Sequence, residues 1–319
     1  MKRTVLLAML AARAVLAQAP EEPVLLTIDV ENAVIYRGTV FDASKLAKDP
    51  GPTTSVNQAF TYNYVIGDIV AVNGKPAKGL WTSANYAMPF RQAPQPGQPI
   101  ADFDLGGTAY CTWTIFTPDG TPVGVITDVG LAAGVAGHTL TGGLAGFSGS
   151  IGEHRTQTIT AVREASTAED PANRRNLGGG KSKVTFYLYP KIRPTVQLTS
   201  NGPAIAHADY SAVTAANPAR AGELLILAAT GLGPVKPGLL PPGTVEFSGP
   251  PYQEVNSPVT VIFNGKELPV TNKIGWPGQK ALYWVDFQVP SDATQGTATI
   301  QLTSGWIPGP AVSIPIGPR

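Results

Sequence analysis

The sequence contains a single cysteine, Cys111, so it can form neither an internal disulfide nor a zinc site built from several cysteines. The neighbours of Cys111 place it on an apolar strand face, and we interpret it as a small buried hydrophobic residue. Histidine is almost as scarce. His138, His154 and His207 are widely spaced, and no two of them stand four residues apart, the spacing that binds zinc on a helix. The sequence therefore predicts neither a metal site nor a cofactor.

Charge is also scarce. Only 14% of the residues are charged and the formal net charge is +1, which argues against a nucleic-acid partner, because such proteins present a concentrated basic face. Beyond the N-terminal segment the sequence has no run of about 18 apolar residues, so we predict no transmembrane segment.

The N-terminus has the composition of a secretory signal peptide. Lys2 and Arg3 precede a largely apolar stretch at residues 4–16, and Ala17 supplies the small residue that a signal peptidase requires. We predict a signal peptide over residues 1–17, and a secreted or cell-surface location for the mature protein.

Glycine (35 residues) and proline (30 residues) make up about a fifth of the chain, which is below the level of a disordered low-complexity protein. Such a composition fits many short strands separated by turns. We predict an all-β protein in which an antiparallel, glycine-rich β-barrel at residues 18–191 is followed by a linker at 192–216. An immunoglobulin-like β-sandwich over 217–319 completes the prediction.

Alternating apolar residues predict the individual strands. The clearest alternation lies in Thr108–Phe116, where Ala109, Cys111, Trp113 and Ile115 share one face. The other predicted barrel strands are 24–30, 33–41, 59–72, 123–129, 151–162 and 184–189, and the predicted sandwich strands are 224–229, 259–263, 283–289, 297–303 and 311–316.

Two segments interrupt the barrel pattern. Residues 80–100 combine aromatic residues with several prolines and glycines, which predicts a long ordered loop. Residues 164–183 are strongly polar and end in three glycines, which predicts a loop inserted between the last two barrel strands, with one helical turn after Pro171. The glycines that recur every third residue at 143, 146, 149 and 152 predict a tight, closely packed barrel turn rather than a phosphate-binding loop.

The C-terminal hundred residues resemble a domain found at the end of many secreted proteins of Solibacter-type acidobacteria. The resemblance rests on PARAGE at 218–223, TGLGP at 230–234, PVTV at 258–261 and YWVDFQVP at 283–290. That family has no assigned activity. Its position behind varied N-terminal regions implies a surface or assembly role, and it supports export.

The N-terminal part resembles the allene oxide cyclase and dirigent barrel superfamily, through LTGGLAGFSGSIG at 140–152 and TFYL at 185–188. The resemblance implies an eight-stranded antiparallel barrel that holds an apolar ligand at its mouth and forms dimers or trimers. Some members of the superfamily cyclise a reactive substrate without a cofactor, but their catalytic residues have no counterpart that we can place on this chain.

Three residues are candidates for acid–base catalysis inside the barrel: His154, Glu153 and Tyr187. The alternative for His154 is a solvated residue at a strand end. A second set of candidates would bind a ligand, with aromatic faces for a flat or sugar-like molecule and guanidinium groups for an anionic group. These residues are Trp81, Tyr86, Phe90, Arg91, Arg174 and Arg175. Alternatively, the aromatic residues fill the barrel end and the arginines form exposed ion pairs on a solvated loop.

Three functional hypotheses follow. The first is a non-enzymatic secreted binding or surface protein, in which the barrel binds a small apolar or aromatic ligand, or another subunit, and the sandwich attaches the protein. The second is a cofactor-independent cyclase or isomerase. The third is a structural component of an extracellular assembly formed through edge strands.

Overall fold

A computed structural model describes residues 22–39, 61–87, 97, 108–131, 137–238, 243 and 245–318. The predicted signal peptide, Phe90 and Arg91 lie outside these ranges. Among the residues that the structure describes, no helix is long and apolar enough to cross a membrane.

The N-terminal half forms one nine-stranded sheet, which is closed by the pairing of its first and second strands. The strand order is β2-β3-β4-β5-β6-β7-β9-β1, so eight antiparallel strands make a barrel, and β8 lies beside β1 as a ninth strand. The strands are β1 (Val24–Thr39), β2 (Thr61–Val72), β3 (Lys75–Ala87), β4 (Thr108–Phe116), β5 (Pro122–Leu131), β6 (His138–Ala145), β7 (Ile151–Thr160), β8 (Arg163–Ser166) and β9 (Gly180–Tyr189). The predicted antiparallel barrel is therefore confirmed.

The two ends of the barrel differ. At one end, called the turn end, short turns at 73–74, 117–121 and 146–150 join neighbouring strands. At the other, called the loop end, β1, β3 and β5 lead into segments outside the described residues. The interior toward the turn end is apolar, and its fully buried side chains include Leu26, Ile28, Ile115, Ile126 and Leu188. Removing each such side chain from water contributes about 1.5–3 kcal/mol to folding.

The predicted loop at residues 80–100 is wrong for its first part, because β3 extends from Lys75 to Ala87. This strand pairs along its length with both β2 and β4. Its inward-facing positions include Trp81, Ser83 and Asn85, of which two are polar. Polar residues at inward positions remove the apolar alternation by which a barrel strand is recognised in sequence.

The polar segment 164–183 is only partly a loop. β8 pairs in parallel with β1, and a 3-10 turn (Pro171–Asn173) leads into a one-turn helix, α1 (Arg174–Leu177). The helical turn predicted after Pro171 is confirmed, and Asp170 caps it by accepting a hydrogen bond from the Ala172 amide at 2.8 Å. The insertion packs on the outer face of the barrel, over β1 and β2.

The glycine-rich turn is confirmed as a closely packed turn between β6 and β7. A Cβ on Gly143 would lie 2.3 Å from the Phe147 carbonyl oxygen, and one on Gly152 would lie 2.0 Å from the Tyr187 carbonyl oxygen. Gly152 also has a φ of +141°, which side chains rarely tolerate. The prediction nevertheless missed that β6 (His138–Ala145) enters this turn as a strand.

The C-terminal half forms a second antiparallel sheet that is nearly closed. Its order is β10-β14-β17-β16-β15-β18-β19, with β13 pairing with β14 as well. A separate hairpin joins β11 to β12. The strands are β10 (Thr195–Val196), β11 (Leu198–Thr199), β12 (Gly202–Pro203), β13 (Ile205–His207), β14 (Leu224–Thr230), β15 (Val259–Phe263), β16 (Lys266–Gly275), β17 (Tyr283–Gln288), β18 (Gly296–Ser304) and β19 (Ile307–Ile316).

Two parts of this second unit differ from the sequence prediction. Residues 192–216, expected to be a linker, contribute β10 and β13 to the sheet, and their Val196 and Ile205 lie in its core. β16 was not predicted, because its exposed and half-buried positions carry few apolar residues. β16 links two parts of the sheet, because β15 pairs with its first half and β17 pairs with its second half.

The second unit packs against the turn end of the barrel. Ile307, at the start of β19, is 1% exposed and belongs to the hydrophobic core of the barrel, with Trp306 packed beside it. Lys75 and Glu267 form an exposed ion pair across the same junction. A Cβ on Gly146 of the barrel turn would lie 3.2 Å from the Ser257 hydroxyl of the second unit, so only glycine fits there without a shift.

Candidate functional site

The barrel interior changes character toward its loop end, where a layer of polar side chains replaces the apolar core. Each lies on an inward-facing position of its strand, and most are buried. This polar layer consists of Asn63, Ser83, Asn85, Cys111, Asp128, His138 and His154. Because burial of a polar group is costly unless it is paired, such a layer weakens the fold unless its members satisfy one another or a ligand.

Asp128 is the centre of the layer and is 2% exposed. Its Oδ2 accepts a hydrogen bond from Trp113 Nε1 at 2.5 Å, and its Oδ1 lies 2.6 Å from His138 Nδ1. Burial alone would raise the pKa of this carboxyl group. The contacts with His138, His154 and Trp113 outweigh burial and hold the pKa of Asp128 well below its usual range. The barrel therefore encloses an ionised carboxylate at neutral pH.

His138 joins this carboxylate to the loop end. Its Nδ1 faces the Asp128 carboxylate, and its side chain is 18% exposed. The other ring nitrogen, Nε2, has no partner among the residues that the structure describes. A carboxylate that binds one ring nitrogen fixes the tautomer and leaves the other nitrogen available as a base or a ligand.

His154 is buried more deeply, with a side-chain exposure of 4%. It packs against the rings of His138, Phe186 and Trp113 at centroid distances of 4.7, 4.9 and 5.6 Å. Its Nε2 lies 3.3 Å from Asp128 Oδ1, within ion-pair distance, but neither ring nitrogen makes a hydrogen bond of acceptable geometry within the described part of the chain. His154 is therefore a buried imidazole whose polar atoms are not satisfied.

Cys111 completes the cluster. Its Sγ lies 3.5 Å from His138 Nδ1 and 3.3 Å from Ser83 Oγ. Burial, together with the negative charge of Asp128, raises the pKa of the Cys111 thiol to about 12. The thiol and the carboxylate also face the same nitrogen of His138, whereas a Cys-His-Asp triad uses both nitrogens. The cluster is thus not built as a cysteine nucleophile, although Cys111 is buried as predicted.

A chain of neutral polar groups extends the layer across β3 and β2. Ser83 Oγ donates to Asn85 Oδ1 at 2.9 Å, and Asn85 Nδ2 donates to Asn63 Oδ1 at 2.7 Å. This chain reaches Cys111 through Ser83, and Cys111 contacts His138, so one network spans the barrel interior from β2 to β6.

Of the predicted acid–base candidates, only His154 lies in the barrel interior. Glu153 and Tyr187 occupy the neighbouring outward positions and pair with each other across β7 and β9. Glu153 forms an exposed ion pair with Arg155 at 3.1 Å. The three candidates cannot act on one interior ligand, because adjacent residues of a strand face opposite sides of the sheet.

The predicted ligand-binding aromatic residues that the structure describes, Trp81 and Tyr86, lie on opposite faces of the barrel wall. Trp81 faces the interior and stacks on Trp113, with ring centroids 5.2 Å apart, and its buried Nε1 makes no hydrogen bond to the described residues. Tyr86 lies on the outer face, 56% exposed, and contacts Tyr110 edge to face. Trp81 therefore borders the polar layer and Tyr86 does not.

The two predicted arginines bind Asp68 on the outer face of the barrel rather than pointing into the loop end. Arg174 is 5% exposed and donates to Asp68 Oδ1, while Arg175 donates to both carboxylate oxygens at 2.8 Å. Asn32 adds a further hydrogen bond to the same carboxylate at 3.0 Å. Both guanidinium groups are thus used to hold the insertion on the barrel.

The sequence prediction missed Asp128 and His138 as site residues. Asp128 does carry a signal: it lies in the predicted strand 123–129 at a position in phase with the inward-facing Ile126. A carboxylate at an inward position of a barrel strand indicates either a buried pair or a functional site.

No protein-family model matches this chain, and a comparison with curated proteins finds no match.

Proposed function

We propose that the protein is an exported binding protein whose barrel takes a small ligand at the polar layer. The observation that carries the proposal is the buried, ionised Asp128 with an unsatisfied His154 beside it. Natural cores rarely enclose such groups unless a ligand or a function repays the loss of stability. The ligand would offer hydrogen-bonding groups to the layer and an apolar or aromatic part to Trp81.

In the same proposal, the second unit is an immunoglobulin-like sandwich that serves as the attachment module. Its strands are antiparallel. In addition, β16 pairs with β15 through its first half and with β17 through its second half, as a strand does that crosses from one sheet of a sandwich to the other. Both observations support this architecture. The suggested kinship with the allene oxide cyclase and dirigent barrels, and with the acidobacterial C-terminal domain, belongs to this proposal as well. The eight-stranded antiparallel barrel is consistent with the first resemblance.

Native mass spectrometry of the protein purified from its secreting host, before and after organic extraction, tests the binding function. A small-molecule mass that extraction removes would support it. The matched variants are Asp128→Asn and Glu153→Gln, which change an interior and an adjacent exterior carboxylate. Asp128→Asn should lose a hydrogen bond to a charged group, which is worth about 1.5–3 kcal/mol. The affinity for the ligand should therefore fall by about 10–150-fold. A clean unliganded mass, or equal weakening in both variants, would contradict the proposal.

A second candidate function is acid–base catalysis without a cofactor, and the Asp128–His138 pair favours it. The pair has the arrangement of a general base, with the carboxylate at Nδ1 and a side chain that is 18% exposed. In this case His138→Gln should bind the ligand but not convert it, whereas Glu153→Gln should retain turnover. Recovery of the extracted ligand unchanged after prolonged incubation with the wild-type protein would refute this candidate.

A further inference from the structure

We propose that the polar layer also binds one divalent transition-metal ion, best matched by Zn²⁺, through Cys111, Asp128, His138 and His154. The inference rests on the same layer as the proposed ligand site, and it names the ion that an incoming ligand would meet. It does not require that an organic ligand binds.

The distances between the donor atoms carry the inference. In a tetrahedral zinc site, two N or O ligands lie about 3.3 Å apart, and an S and an N ligand about 3.5 Å apart, as follows from the usual bond lengths. Cys111 Sγ lies 3.5 Å from His138 Nδ1, and Asp128 Oδ1 lies 3.3 Å from His154 Nε2. The cysteine, aspartate and His138 donor atoms all lie within 4.8 Å of one another.

Two adjustments are needed when the ion binds. His154 lies outside the group of donor atoms within 4.8 Å of one another, so its ring must move toward Cys111 and His138 to become the fourth ligand. Asp128 Oδ1 and His138 Nδ1 are 2.6 Å apart, a hydrogen-bond distance, so the ion would take the place of the hydrogen between them and increase their separation by about 0.7 Å. The side chain of His138 reaches the loop end and is the least buried of the four ligands, which gives it room for this shift.

His154 supplies an independent observation. Its side chain is 96% buried, both ring nitrogens lack a hydrogen bond within the described part of the chain, and its Nε2 faces the Asp128 carboxylate. A buried polar group without a partner in a native fold calls for a ligand, and a neutral imidazole is a common ligand for zinc. A metal ion at this position would satisfy the ring.

The surroundings fit a metal site. The four ligands lie on four consecutive strands of the barrel, β4 to β7, and His138 and His154 are direct cross-strand partners. Trp113 Nε1 donates to Asp128 Oδ2 and leaves Oδ1 for the ion, which is the role of an outer-shell partner. One sulfur and two imidazole nitrogens favour Zn²⁺ or a similar ion over Ca²⁺ or Mg²⁺, which prefer oxygen ligands.

The experiment uses the full-length mature protein, stripped with a chelator and then titrated with Co²⁺ and Zn²⁺. We expect one ion per chain, an intense near-ultraviolet thiolate-to-cobalt band and the visible spectrum of tetrahedral cobalt. Cys111→Ser should lose the thiolate band, and His154→Gln should weaken binding by at least about 10–100-fold. His207→Gln and Glu153→Gln are the matched controls, and both should bind like the wild type.

Far-UV circular dichroism first confirms that each variant is folded. If His154→Gln does not fold, the nearly isosteric Cys111→Ser decides through the cobalt spectrum. A folded wild type that takes up no stoichiometric Co²⁺ or Zn²⁺ would overturn the inference, as would a cobalt spectrum that Cys111→Ser leaves unchanged. Metal binding without any extractable organic ligand would sustain the inference while refuting the proposed small-molecule function. An extractable organic ligand in a folded protein that takes up no stoichiometric Co²⁺ or Zn²⁺ would support the small-molecule function and refute the inference.

Discussion

Asp68 and its two arginines provide a sharp test of how burial determines the strength of an ion pair. Asp68 is 6% exposed and Arg174 is 5% exposed, whereas the side chain of Arg175 is 60% exposed. Burial alone would raise the pKa of Asp68, but hydrogen bonds from Arg175, Arg174 and Asn32 lower it below its usual range. The same carboxylate thus has one buried and one exposed cationic partner.

Asp68→Asn removes the charge that compensates the buried Arg174. Breaking a buried pair by removing one partner costs about 3–5 kcal/mol, because the other charge stays buried without compensation. Arg174→Met should cost less, about 1.5–3 kcal/mol, since Arg175 still pairs with the carboxylate while charge-assisted hydrogen bonds are lost. Arg175→Met should cost about 0–1 kcal/mol, because solvent screens an exposed pair.

Urea unfolding followed by far-UV circular dichroism measures these free energies of unfolding, provided that the slope with denaturant is the same for all variants. The expected order of destabilisation is Asp68→Asn, then Arg174→Met, then Arg175→Met. The reasoning fails if Arg175→Met is as destabilising as Asp68→Asn. It also fails if Asp68→Asn unfolds within about 0.5 kcal/mol of the wild type, the usual range for an exposed substitution.

Three further predictions concern the rest of the fold. Burial lowers the pKa of His207, but its hydrogen bond with Glu223 raises it more, so the folded pKa lies above the unfolded one. The His207–Glu223 interaction therefore stabilises the fold fully below about pH 6.5, and this stabilisation is lost as the pH rises through the folded pKa of His207. His207→Gln should flatten the dependence of the melting temperature on pH over this range. Gly143→Ala should destabilise the barrel by more than about 2 kcal/mol, because its Cβ would overlap the Phe147 carbonyl, whereas Gly249→Ala, which meets nothing within 4 Å, should be nearly neutral in chemical denaturation. Ile307→Ala should cost about 2–5 kcal/mol and split thermal unfolding into two calorimetric transitions, while a single transition of unchanged midpoint would show that the two units do not depend on this contact.

The sequence predicts strands well where one face is apolar. β4 and β15 have the predicted bounds, since their buried residues alternate without interruption. The prediction failed for β3, whose interior Ser83 and Asn85 belong to the polar layer. β3 was missed because it contributes residues to the candidate site. Polar side chains at its inward positions interrupt the alternation of apolar residues by which a strand is predicted.

The candidate site could be predicted only in part. Its members come from six strands and are distant in sequence, so their proximity depends on the closure and register of the barrel, which no local pattern specifies. His154 was identified as a candidate because it stands beside Glu153 and Arg155 on a predicted barrel strand. Strand alternation alone would have placed Glu153 on the opposite face, and it would have placed Asp128 inside.

The position of Ile307 in the barrel core determines from which end of the barrel a molecule can reach the polar layer. Because the second unit covers the turn end, a molecule that binds at the polar layer can neither enter nor leave the barrel through that end. The loop end lies at the opposite end of the barrel from the second unit. Anchoring the protein through that unit would therefore leave the loop end facing the surrounding medium.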